Sequence, residues 1–166
     1  MRREEVLRNH WFFSQEVGKE EALASDFQRG NWQAIQVPHD WSIYNDFDQY
    51  SPAQNEGGQL NGGHAWYRTQ FYLEEDASLV SVRLLFDGVY MNAQVYINGQ
   101  VLGYYPNGYT PFSYDITPYL RNDGTANQLA VFVENQQPSS RWYSGSGIYR
   151  EVKLLIRDSV HLDLYG

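Results

Sequence analysis

The chain has 166 residues, 42% of them hydrophobic and 19% charged, with a formal net charge of −8. That length and apolar content suffice to bury a core and exclude a disordered chain. The acidic balance offers no basic stripe for phosphates and no apolar run of membrane-spanning length, which argues against nucleic acid or a membrane as partner.

There is no cysteine, hence no disulfide, thiolate nucleophile or thiolate metal site. Aromatic residues are abundant, with 14 Tyr, 8 Phe and 5 Trp. Such usage favours β-structure, and it recurs where ring faces stack on sugars. The opening "MRREEVLRNHWFF" lacks the apolar stretch of a signal peptide, which predicts a cytoplasmic chain or a piece trimmed at a domain edge; a cell-surface parent is the alternative.

In chain order, Gly18–Phe27 allows a turn or two of helix. From Asp40 to Ala65 no periodicity appears, and long irregular loops in compact domains are usually functional or disordered. Trp41, Tyr44, Phe47 and Tyr50 argue against disorder. Ala65–Leu73 then alternates, with Trp66, Arg68, Gln70 and Tyr72 on one side and Tyr67, Thr69, Phe71 and Leu73 on the other. Ser81–Val89 is the next strand. Ala93–Ile97 and Gln100–Tyr104 form a hairpin about Asn98-Gly99, where both positions tolerate positive φ. A strand ends at "FSYDI". Thr117–Leu120 reads as a helical turn capped by Thr117 with Pro118 at its first position. Gln128–Asn135 and "EVKLLIRD" are strands, and "VHLDLYG" is a candidate for one more. The whole is a single, mostly antiparallel all-β domain over 1–166, a jelly-roll β-sandwich, with a closed barrel as the alternative.

No complete catalytic set is visible. Asp46 and Asp48 share a loop with Glu56, but a glycosidase needs two carboxylates held across a sugar, and loop spacing cannot supply that separation. His10, His39, His64 and His161 lack metal-ligand spacing. His39, between Pro38 and Asp40, reads as a buried, hydrogen-bonded structural residue. The serines of "SGSG" do not form a nucleophile elbow, and "GGQLNGG" lacks the spacing of a phosphate loop. No cofactor and no metal is expected.

The motifs "NHWFF", "VPHDW", "GGHAWYRTQF", "LLFDGVYMNAQVYINGQVLGYYPNGYTPFSYDITPYL", "NQLAVFVEN" and "RWYSGSGIYREVKL" occur in an order that resembles the N-terminal sugar-binding domain of glycoside hydrolase family 2. The resemblance runs from about Asn9 to Ile156. The "NDFD" and "SPAQNEGGQLNGG" stretches and "PSSRWYSGSGIYR" are similar to the β-galactosidase branch. It implies a jelly-roll domain followed by an immunoglobulin-like sandwich and a TIM barrel that carries both catalytic glutamates. The fragment itself should then hydrolyse nothing, and its partners are the following domains and a galactoside.

The resemblance also implies that the loop before "WYR" and the loop at "RWYSGSGIYR" reach the galactose subsite. The implied substrate-binding residues are Arg141, Trp142, Tyr143 and Ser144, with Asp46, Asp48 and Asn61 from the other loop. Arg141 offers five fixed donors, and Gly145 and Gly147 allow close backbone approach. Ser144 stands where the best-known bacterial β-galactosidase carries an acid, which makes Asp46 or Asp48 the candidate replacement. Corner packing by Trp142 and Arg150 is the alternative role, and a free-standing carbohydrate-binding or adhesion module is the alternative function. A piece cut from such an enzyme should expose an aromatic patch near Trp41, Tyr44, Trp142 and Tyr143.

Overall fold

A computed structural model describes residues 2–54, 58–76, 78–138 and 145–160. Two antiparallel sheets face each other. One has four strands in the order β1 (Arg2–Val6), β10 (Val152–Asp158), β5 (Val80–Phe86), β8 (Phe112–Asp115). The other has six, in the order β3 (Gln33–Ile35), β2 (Trp11–Ser14), β4 (Gly63–Phe71), β9 (Asn127–Asn135), β6 (Ala93–Ile97), β7 (Gln100–Tyr105). Among the described residues both sheets have free edges, as in a sandwich rather than a closed barrel.

Period-two alternation explains the layers. Tyr67 on β4 belongs to the core between the sheets with Trp11, Leu84, Phe86, Val131 and Leu154. Its neighbour Trp66 points the other way, into a smaller cluster with Val17, Ala22, Trp32, Tyr96 and Ala130. The helix α1 (Lys19–Leu23) roofs that second cluster, and Arg68 beneath it donates from Nη1 to the Ala22 carbonyl at 3.0 Å. The sandwich therefore carries a covered outer face as well as a central core.

The hairpin at Asn98-Gly99 forms as the sequence predicts, with φ of +50° and +81°. The turn after β8 differs. Thr117 is its first residue and Ile116 holds the cap position with no side-chain cap, while Asp115 Oδ1 just upstream accepts from the Thr117 amide at 3.0 Å and from its hydroxyl at 2.6 Å. The Thr117 hydroxyl does not cap the turn because its Oγ1 accepts from the Val82 amide of β5 at 2.8 Å. The strands β1, β2 and β3 have no counterpart in the periodicity reading. They are short, and their alternation is hidden by charge (β1) or by consecutive aromatics (β2). Val160 lies outside any strand, and the rest of "VHLDLYG" lies outside the described residues.

Candidate functional site

At one end of the sandwich the segment 37–62 meets residues 145–148. The meeting is built from backbone pairs: His39 N donates to Ile148 O at 2.7 Å and Trp41 N to Ser146 O at 3.0 Å. Asp40 fastens both chains, its Oδ1 accepting from Ser146 N at 2.8 Å and Ser42 N at 3.0 Å. Burial pushes the Asp40 carboxyl up, and these amide donors pull it back.

Trp41 is 3% exposed and donates from Nε1 to the Gly62 carbonyl at 3.0 Å. It is a core ring, which corrects the expectation that it lies on an exposed patch: its indole N–H finds an internal acceptor, so it can be buried without loss. His39 donates to or accepts from the Tyr67 hydroxyl through Nδ1 at 2.8 Å, and burial pushes its pKa down to about 4. It is the hydrogen-bonded structural histidine read from the sequence. Tyr67 is held well above its usual range, chiefly by burial and further by the Asp40 charge.

Gly147 has φ of +122°, and a Cβ there would lie 2.3 Å from the Tyr67 hydroxyl and 2.7 Å from the His39 carbonyl oxygen. Its close approach is therefore to the domain's own core, not to a ligand.

The irregular loop is stitched to itself. Asp48 N donates to Gln59 O at 3.0 Å, its Oδ1 accepts from Tyr50 N at 2.9 Å, and Ser51, Ala53 and Leu60 are buried anchors. Gln137 clamps the loop's end, accepting from Gly62 N at 2.8 Å and donating to Leu60 O at 3.1 Å. Asp46, Asp48 and Asn61 come together on one cleft of about 810 Å³, with Gln15, Asn45, Phe47 and Tyr50. The structure thus gathers the three described candidates from the sequence. Arg141, Trp142, Tyr143 and Ser144 lie outside the described residues.

This cleft shares Gln15 and Asn45 with a larger neighbouring one of about 980 Å³, and Asn61 and Gly62 with a smaller one of about 320 Å³. Gln15, Asn45 and Gln137 were missed by sequence reasoning, because an isolated carboxamide carries no spacing signal. The rim is apolar: Tyr44 is 76% exposed, Phe47 78% and Tyr50 83%. Among the described residues no group of three or more His, Cys, Asp or Glu could hold a metal ion, and no helix is long and apolar enough to cross a membrane.

Residues 5–158 match the family model described as "Glycosyl hydrolases family 2, sugar binding domain". The chain belongs to this family. It is 47% identical over 147 residues to β-galactosidase BoGH2A of Bacteroides ovatus, covering 88% of the chain and 17% of that protein. It is 38% identical over 160 residues to a putative β-glucuronidase of Formosa agariphila, covering 93% of the chain and 15% of that protein. A glycosyl hydrolase family 2 member from Bacteroides cellulosilyticus superposes with a TM-score of 0.85 at 36% identity, over 93% of this chain and 20% of that one. The sugar-binding domain thus spans about a fifth or less of the length of these relatives.

Proposed function

We infer that this sugar-binding domain serves a longer retaining β-galactosidase, lending loops to the galactose subsite and packing on a catalytic barrel of the same polypeptide. The observation that carries the reading is the anchoring on either side of residues 139–144. Gln137 is bonded to Leu60 and to Gly62, which lines the cleft of Asp46, Asp48 and Asn61, and Ser146 is bonded to Asp40 at the start of the same irregular loop. Arg141 and Tyr143 would add directional donors and a stacking face to the carboxylates and carboxamides already there. The exposed Ile43, Phe47 and Tyr50 suit a surface that a neighbouring domain covers. Asp46 and Asp48 would repel a uronate carboxylate, which favours a galactoside over a glucuronide.

The test is made in the longer enzyme. Asn61→Ala, Asp46→Asn and Arg141→Ala should each lower kcat/KM for an aryl galactoside by roughly 5- to 150-fold, the value of about 1–3 kcal/mol for a bond in a dry site. Unchanged turnover in all three would overturn the reading, and faster hydrolysis of the aryl glucuronide than of the galactoside would replace its substrate.

A further inference from the structure

A cleft of about 980 Å³ lies beside the one that holds the galactose-subsite candidates. Residues 33–36 all line it, although alternate residues of a strand point to opposite faces. The cleft therefore runs along the open edge of β3, the last strand of its sheet. Opposite that edge stands the arm from Pro38 to Asn45.

The floor is aromatic. Phe13 lies 4.7 Å from the His39 ring and 5.8 Å from Trp41, centroid to centroid. On the rim, the exposed Tyr44 ring is stacked on His39 at 6.0 Å with 28° between planes, so an open aromatic face is held in one orientation. The walls are carboxamides: Asn9, Gln15, Gln33, Gln36 and Asn45. Each offers two donors and an acceptor and no charge. Among the described residues the lining contains no Lys, Arg, Asp or Glu. Its half-buried histidine, His39, is kept neutral by burial.

We propose that this cleft is a second saccharide site, which takes a neutral oligosaccharide along the β3 edge and is distinct from the cleft of Asp46, Asp48 and Asn61. Hydroxyls pair with the carboxamides, and a C–H face of a sugar ring lies on Tyr44. Its volume is at the upper end of ordinary ligand pockets, about 300–1,000 Å³, so it accepts more than one ring. Among the described lining residues no Lys or Arg offers an anionic sugar a counter-charge. Gln15 and Asn45 line both clefts, so the two sites are neighbours. The site thus deepens the glycosidase reading by giving the substrate length and neutrality.

The test is titration of this chain, by NMR or calorimetry, with β-1,4-galactotetraose, galactose and tetragalacturonate. The neutral tetramer should bind with Kd on the order of 1 mM, more tightly than galactose, and tetragalacturonate should not bind. Tyr44→Ala and Gln33→Ala, both at exposed positions, should each weaken the tetramer about fivefold or more with melting temperature unchanged. No binding of the tetramer, or equal binding of tetragalacturonate, overturns the proposal. Loss on Asp46→Asn with Tyr44→Ala and Gln33→Ala silent also overturns it, while leaving the galactose-subsite reading intact. That reading fails separately, on turnover by the longer enzyme.

Discussion

The hydroxyl oxygens of Ser42 and Ser146, 104 positions apart in sequence, lie 2.6 Å from each other inside the corner that carries the clefts. Both are fully buried. Asn135 Nδ2 donates to Ser146 Oγ at 2.7 Å, and Ser42 Oγ lies 3.0 Å from the Asn61 carbonyl oxygen. A polar thread thus joins β9, the start of the irregular loop, its end beside the candidate Asn61, and the strand-like return at Ser146.

Removing one hydroxyl leaves its partners unsatisfied in a dry setting. Ser146→Ala should cost about 1–3 kcal/mol by urea unfolding. The Ser42→Ala, Ser146→Ala double variant should cost less than the sum of the singles, because the two share one network. Additive losses would mean that the serines act independently.

Gly147→Ala should be among the most damaging single changes in the domain. Both the φ of +122° and the contacts to Tyr67 and the His39 carbonyl oppose a Cβ. Strain and overpacking together should exceed about 3 kcal/mol. A melting temperature within a few degrees of the parent's would show that the corner yields.

The layers of the sandwich were legible because β4, β6 and β9 obey period two and the Asn98-Gly99 turn has a local signature. Asp46, Asp48 and Asn61 were legible only through family resemblance, since nothing in their spacing says that the loop folds back on Gln59. Trp41 was misplaced for a physical reason: a tryptophan in an irregular loop looks exposed until Gly62 supplies an acceptor for its N–H. The cleft along β3 was invisible because its carboxamides come from Asn9, Gln15, Gln33, Gln36 and Asn45, which only the pairing of β2 with β3 and the bend after Pro38 bring together.

The chain alone should hydrolyse no aryl galactoside. Asp46 is exposed and Asp48 half-exposed in the same loop. A general acid needs burial to hold its proton near neutral pH, and a retaining pair needs carboxyls about 5–5.5 Å apart across the bond. Release of nitrophenol by the purified chain, abolished by Asp46→Asn, would refute this.

Acid should loosen the corner through His39. Burial lowers its pKa from 6.5 to about 4, so the unfolded chain binds this proton more readily than the folded one. Stability then rises with pH across that window. The contribution is complete above about pH 6.5, and the penalty is fully present below about 4. The slope should stay under the about 1.4 kcal/mol per pH unit of one fully withheld proton, because the ring borders an open cleft. Asp40 works in the opposite sense: its raised carboxyl makes the folded state the better proton binder just above its ordinary value. Comparison with His39→Gln cancels that term, since Gln keeps a polar group for the Tyr67 hydroxyl and cannot titrate. Urea midpoints between about pH 4 and 7 should fall with acidification more steeply in the parent than in the variant. Parallel pH profiles would mean that the imidazole takes up its proton in the folded state as easily as in the unfolded one, and that the packing against Phe13 and Tyr67 does not desolvate it.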